Sequence, residues 1–284
     1  MISLRQNMTE EMVLKGFAAN TQTTYLYHIT QLARFFHRPP DKISEDGIRQ
    51  YLLNCHQVKH WSYSSCRQFI HAARFFYDKV LLKPLSKARL PLPKKEEKIP
   101  ELLSRSEVAK IIGHCFNPKF QVALKLAYAT GLRVSEVVAL RVRDLDGERN
   151  VIRVLNSKGN KDREIEFTES VKKLLRHYWR EYCPQDTLFY SQNPRSPLSK
   201  ATLQRAYTAA KLKAEVHKTG GIHGLRHAYA THQLEGGMSL PQLQQQLGHK
   251  HISCTLRYTR WLRYAPCAPG DTFDLLYALE QDES

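Results

Sequence analysis

Acidic side chains are scarce in this 284-residue chain: 27 Asp and Glu stand against 43 Lys and Arg, a formal net charge of +16. Residues 1–98 hold 16 basic and 8 acidic side chains and the remainder 27 and 19, so each part carries +8. A basic tail on a neutral body would divide unevenly, so the balance points to one polyanion facing both parts. A merely basic soluble protein is the competing reading of the charge alone. Cysteine pairs are the next absence. Cys55, Cys66, Cys115, Cys183, Cys254 and Cys267 form no C-x-x-C pair, show no metal-ligand spacing and are too sparse for the disulfide framework of a small secreted domain. They read as reduced, mostly core-filling thiols. Long hydrophobic runs are missing as well: the segment MISLRQNMTEEMV lacks the apolar core of a signal peptide, and nothing approaches the ~18 apolar residues of a membrane span. The expected location is the cytoplasm. What is there is 42% apolar content, enough to give a core to each of two domains of ordinary size.

Residues 9–90 read as helices only. The segment TTYLYHITQLARFFH sets Leu26, Ile29, Ala33 and Phe36 on one face, and Ile48 with Leu52 begins a second stripe. A further helix, SYSSCRQFIHAARFFYDKVL, places Phe69, Ile70, Ala73, Phe76, Tyr77 and Val80 inward. Its other side offers Arg67, His71, Arg74 and Lys79. Any one of these is ordinarily solvated surface; as a group they can track a phosphate backbone. From Leu90 the texture changes to LPLPKKEEKIPELL, where prolines remove backbone donors and resist helix. A linker over residues 91–103 therefore separates a helical domain, residues 1–90, from a second domain, residues 104–284. Ser104 with Glu107 makes a capping box that opens the first helix of the second domain.

In the second domain, Gln121 to Ala129 is largely apolar and reads as a buried helix that stops at Thr130-Gly131. Arg133 follows, then the helix SEVVAL, with Ser135 as its expected cap. A lone buried charge is costly, so Arg133 needs a partner. Glu136, one turn on, can brace it and leave guanidinium donors for an outside anion. Between Asn150 and Glu169 the period changes to two: VIRVLNSKGNKDREIEF alternates on both sides of SKGNKD, a β-hairpin with Lys158 at its tip. The helical stripes Val171, Leu174, Leu175, Tyr178 and Leu203, Tyr207, Ala210 carry no evident chemistry.

The densest chemistry runs from His223 to Tyr258. His223, Arg226 and His227, at i, i+3 and i+4, share one side of a helix. After Gly236-Gly237, Leu240, Leu243 and Leu247 make a short amphipathic run closed by Gly248. His249 then falls on a loop, and Ser253 reads as the N-cap of a short helix that carries Tyr258. Two imidazoles, a guanidinium and a phenol, delivered by three neighbouring elements, suit a site built around an anion. A single His or Tyr on a helix is most often structural. His227, His232 and His251 fall in that class, His227 as a support behind the site.

With TGLRVSE, NSKGNKDREI, HGLRH, LGH and TLRYT in that order, and nine residues from His249 to Tyr258, the chain resembles the tyrosine recombinase (phage-type integrase) family over nearly its whole length. The resemblance implies a mainly α fold with a small β-sheet (α+β). In it, an N-terminal helical, SAM-like core-binding domain precedes a C-terminal tyrosine recombinase catalytic domain. It implies Arg133, Lys158, His223, Arg226, His249 and Tyr258 as the catalytic set, supported by Glu136 and His227. The residue types suit phosphoryl transfer, because preorganised donors stabilise the extra negative charge of a pentavalent transition state. Arg133 and Arg226 can each grip non-bridging oxygens through two donors, and His249 adds another. Tyr258 is the implied nucleophile and forms a covalent 3′-phosphotyrosine. A free phenol has a pKa near ~10, so a base is needed, with His223 the candidate. Lys158 would protonate the leaving 5′ oxygen. No metal or other cofactor is implied, since the arginines and the lysine take over the electrostatic role. The implied partners are double-stranded DNA and further copies of the chain, a homotetramer on two DNA sites. The tail with Phe273, Leu275, Leu276, Tyr277 and Leu279 would reach into the next subunit.

Integron integrases resemble the set too, but carry an insertion ahead of HxLRH for which the 65 residues from Lys158 to His223 are too compact. The expected role is recombination for a mobile element. Xer-type resolution of chromosome or plasmid dimers is the alternative, from which GLRHAYATHQ and the CAPGDTF tail depart. A relaxing topoisomerase is disfavoured by the helical N-terminal domain and the tail, and a catalytically inactive architectural DNA-binding protein by the intact six-residue set.

Overall fold

In the computed structural model, which describes residues 3–86, 90–91, 101–155, 162–191, 193, 196–260 and 275, the chain divides into two units, Met1–Lys98 and Ile99–Ser284. The first holds α1 (Leu4–Leu14), α2 (Ala19–Phe36), α3 (Glu45–Gln57) and α4 (Tyr63–Arg74). Serine hydroxyls at Ser3, Ser44 and Ser62 accept orphan backbone N–H groups and so start α1, α3 and α4. Ile29, Ile48, Leu52, Phe69, Ile70, Ala73, Phe76 and Tyr77 are buried as their stripes predict. Leu32, off the predicted stripe, is fully buried as well. The helix expected to run on past Arg74 changes character there: Phe75–Val80 is π-helical. Three consecutive aromatics, Phe75, Phe76 and Tyr77, are buried. Arg67, His71 and Lys79 lie exposed on the opposite side.

The second unit contains α5 (Arg105–Gly113), α6 (Pro118–Thr130), α7 (Val134–Val137), β1 (Leu145–Asp146), β2 (Val151–Val154) and β3 (Arg163–Glu166). They are followed by α8 (Glu169–Tyr182), α9 (Lys200–Lys213), α10 (His223–Glu235), α11 (Leu240–Leu247) and α12 (Ser253–Thr259). The fold is mainly α with a small sheet. The predicted capping box is present: Glu107 N donates to Ser104 Oγ at 3.2 Å and Ser104 N to Glu107 Oε2 at 2.7 Å. The strands pair antiparallel in the order β1-β2-β3, with Ile152 opposite Ile165 and Val154 opposite Arg163. β1, of two residues, is too short to show a period in sequence. The hairpin tip with Lys158 lies outside the described residues, as does the tail apart from Leu275.

Two caps differ from expectation. Arg133, not Ser135, is the N-cap of α7, and the Glu136 carboxylate three residues on accepts the Arg133 backbone N–H at 2.8 Å, the N3 half of a capping box. Ser253 is the first residue of α12 and Ile252 its N-cap. Cys55, Cys66 and Cys115 are buried thiols as expected, whereas Cys183 is exposed at the left-handed end of α8. No described helix is long and apolar enough to cross a membrane.

α10 is enclosed on nearly every side, with Leu225, Arg226, Ala228, Tyr229, Ala230, His232 and Leu234 all buried. His232 is bonded through Nδ1 to Tyr128 of α6 at 2.9 Å. α6 ends at Gly131, whose φ of 65° is left-handed and whose Cβ position would lie 2.4 Å from Tyr229 Cδ1. Gly131→Ala therefore combines backbone strain with overpacking and is expected to lower stability by roughly 2 kcal/mol or more. Urea unfolding of the full chain checks this; an unchanged midpoint would contradict the packing described.

Candidate active site

Arg226 is an arginine with 2% exposure, held in place by the ends of two helices. Its Nη1 donates to Gly131 O at 2.7 Å, just past α6, and its Nη2 to Leu247 O at 2.6 Å, the last residue of α11. Helix C-termini present orphan carbonyls and the negative end of the dipole, so both favour the cation. Burial first, and then the nearby Arg133, lowers its pKa to about 10, which leaves it charged at neutral pH.

Glu136 gathers the positive groups. Arg133 Nη1 donates to its Oε1 at 2.8 Å, Arg163 forks onto both oxygens at 3.0 and 2.9 Å, and Arg226 Nη1 stands 4.0 Å from Oε2. Burial alone would raise the carboxyl pKa; hydrogen bonds and charge from Arg163, with Arg133, outweigh it and hold the group at about 2. Nε and Nη2 of Arg133 make no hydrogen bond among the described residues and remain available to an anion.

The imidazoles and the phenol close the site. His249 Nε2 lies 3.3 Å from Arg226 Nη2, and its Nδ1 2.9 Å from Thr255 Oγ1. A guanidinium only donates, so Nε2 is the acceptor and Nδ1 carries the proton. The His249 ring is parallel to that of Tyr258, at 6° and 6.3 Å between centroids. Tyr258 is buried, and its hydroxyl meets His227 Nδ1 at 3.0 Å. The sequence named His223 as the candidate base and His227 as its support. The imidazole in hydrogen-bond contact with the phenol is His227, one turn inside α10. His223, at the exposed first position of α10, meets the His227 ring edge-on at 4.7 Å. Burial raises the Tyr258 pKa against the pull of Arg226, Arg257 and Arg133. Burial, chiefly, lowers His227 and His249 to about 4 and His223 in the same direction.

Arg133, Glu136, Arg226, His227, His249 and Tyr258 are thus brought together, with His223 at the edge. Arg163 was missed. Its signal was the alternation of β3, which puts Arg163 on the same face as buried Ile165 and so demands an acidic partner. A cleft of about 570 Å³ is lined by Arg133 and Glu136 and, among others, by Arg141, Arg143, Arg153 and Lys200. Among the described residues, no group of three or more His, Cys, Asp or Glu side chains could hold a metal ion.

Comparison with known proteins bears on this site. The model of the phage integrase family matches residues 95–263, and that of the phage integrase N-terminal SAM-like domain residues 4–87. A protein of Sinorhizobium fredii provisionally named integrase/recombinase y4qK is 36% identical, covering 97% of this chain and 90% of its own. Tyrosine recombinase XerD of Oceanobacillus iheyensis is 30% identical, covering 86% of this chain and 89% of its own. The Tn1549 transposon integrase, solved in complex with a circular intermediate DNA, shares the fold with a TM-score of 0.69 at 20% identity, each chain covered to 100%.

One buried and two half-buried histidines set a pH dependence. His227, His232 and His249 take up a proton in the fold only at about pH 4, against an ordinary 6.5. The unfolded chain therefore binds more protons between those values, and stability falls as pH drops through that window. Below an ordinary carboxyl value of 4.5, protonation of Glu136 removes further stability. Denaturant unfolding at pH 7 and pH 5 checks the first part; equal midpoints would contradict it.

Proposed function

The chain belongs to the phage integrase family, and from that premise we propose how its site handles a DNA phosphate. It is a tyrosine recombinase, an enzyme of site-specific recombination. The scissile phosphodiester of double-stranded DNA lies against Arg133 and Arg226, whose donors match its non-bridging oxygens. The phenolic oxygen of Tyr258 attacks phosphorus, the bond to the 5′ oxygen breaks, and the 3′ end becomes a phosphotyrosine that a new 5′ hydroxyl reverses. The proton of the phenol passes to the His227–His223 pair, of which His227 is the member in contact. Lys158 supplies the proton of the leaving oxygen. His249 accepts from Arg226 in the unliganded site; an arriving phosphate favours its protonated form, which then donates to the same oxygens. Metal or other cofactor is not part of this scheme.

One observation carries the reading: Arg133, braced by Glu136, and Arg226, held by the ends of α6 and α11 with Glu136 4.0 Å away, stand in one place beside the phenol that His227 holds. The charge of +16 and the basic cleft beside Arg133 support a DNA backbone running past the site. Residues 1–90 form the DNA-gripping core-binding domain, 91–103 the linker and 104–284 the catalytic domain with its tail. Four copies act on two DNA sites in the cytoplasm, each tail docking on the next subunit. The role is recombination for a mobile element, in line with the transposon integrase of like fold. The identity with XerD keeps dimer resolution as the second reading.

A DNA substrate nicked near the cleavage point traps the covalent adduct. Wild type is expected to form it, while Tyr258→Phe binds the DNA equally and forms none; equal trapping by both would remove Tyr258 from its role. Truncation after Ala268 is expected to abolish tetramers on DNA in native gels while single copies still bind, and unchanged tetramers would contradict tail exchange.

A further inference from the structure

Arg163 opens β3 outside the six-residue set, yet its side chain bonds both the Glu136 carboxylate and the backbone of α11. Its side chain is 9% exposed. Nη1 and Nη2 fork onto the two oxygens of Glu136, and Nε donates to Gln246 O at 3.3 Å. Each Glu136 oxygen is thereby shared: Oε1 between Arg163 and Arg133 Nη1, Oε2 between Arg163 and the Arg133 backbone N–H. The stem of Arg163 runs beneath Gly248, where a Cβ would come within 2.7 Å of its Cδ. Gln246 in turn donates to Glu166 O at 2.7 Å. One guanidinium therefore joins the Arg133 junction, the sheet and the turn that leads to His249.

We propose that Arg163 is a positioning residue for the recombination reaction: its fork fixes the rotation of Glu136, so that the carboxylate braces Arg133 and is kept from closing on Arg226. This rests on the reading of the site given above. The geometry demands a fork. An ammonium at this place supplies charge from one point and leaves the carboxylate free to turn. Without Arg163, Glu136 is left with Arg133 and has Arg226 4.0 Å away, and turning toward it neutralises a cation that faces the phosphate.

The test uses the full-length chain on the nicked DNA substrate, measuring the single-turnover rate of adduct formation at saturating DNA, the DNA affinity and the melting temperature. Arg163→Ala is expected to slow adduct formation at least about tenfold with affinity unchanged, as a misplacement of the reacting groups does. Arg163→Lys is expected to keep that loss. In a Glu136→Gln background, Arg163→Ala is expected to add little further loss, since its target is already altered. Wild-type rates in Arg163→Ala, recovery by Arg163→Lys, or losses that multiply in the double variant would each overturn the proposal. So would a loss that appears as weakened DNA affinity, which would make Arg163 a DNA contact. Should Arg163→Ala fail to fold, Arg163→Lys carries the same comparison. If the wild type itself forms no adduct, the reading of the site fails instead, so the two failures are distinguishable.

Discussion

A single carboxylate, Glu136, is shared by Arg133 and Arg163 at hydrogen-bond distance and approached by Arg226 at 4.0 Å. Three positive groups around one negative group leave two charges uncompensated in a half-enclosed place. At ~4 Å and an effective dielectric of about 20, two unit charges interact by roughly 4 kcal/mol. That is enough to hold Arg226 toward Glu136 without a formed bond, and enough to make like charges repel until an anion arrives. The fold accepts this arrangement because each cation has other support: Arg226 sits on the carbonyl ends of α6 and α11, and Arg163 on Gln246 O.

The phenol shows the same logic from the other side. Burial raises the pKa of Tyr258, so the unliganded site keeps the hydroxyl protonated and bonded to His227. Neutral His227 and His249 are what burial among arginines produces. A phosphate placed between Arg226 and His249 changes the sign of the local field for both imidazoles. In the proposed mechanism the nucleophile is thereby activated only when its target is present.

Much of this was legible in the chain because it rests on local rules. Gly131 and Gly248 as helix stops, the Ser104–Glu107 box, the α10 spacing of His223, Arg226 and His227, and the Arg133–Glu136 brace all act within a few residues. What was not legible depends on distant partners. Arg163 and Glu136 are 27 residues apart, and His227 and Tyr258 31. The depth of each histidine beneath the surface follows from how α10 packs, which spacing alone does not reveal. The helices α7 and α12 begin earlier in the chain than Ser135 and Ser253 suggest. The π turn at Phe75 continues the same apolar stripe and leaves no mark of its own in the spacing.

The central claim is that Arg133 and Arg226, steadied by Glu136, converge on one phosphate in front of Tyr258. The most direct measurement is the structure of the full-length protein trapped on a nicked DNA site after cleavage. The account predicts phosphorus bonded to the Tyr258 oxygen, with both guanidinium groups within hydrogen-bond distance of its non-bridging oxygens and Glu136 still gripped by Arg163. A phosphotyrosine touched by only one of these arginines, or a phosphate held elsewhere in the unit, would contradict it.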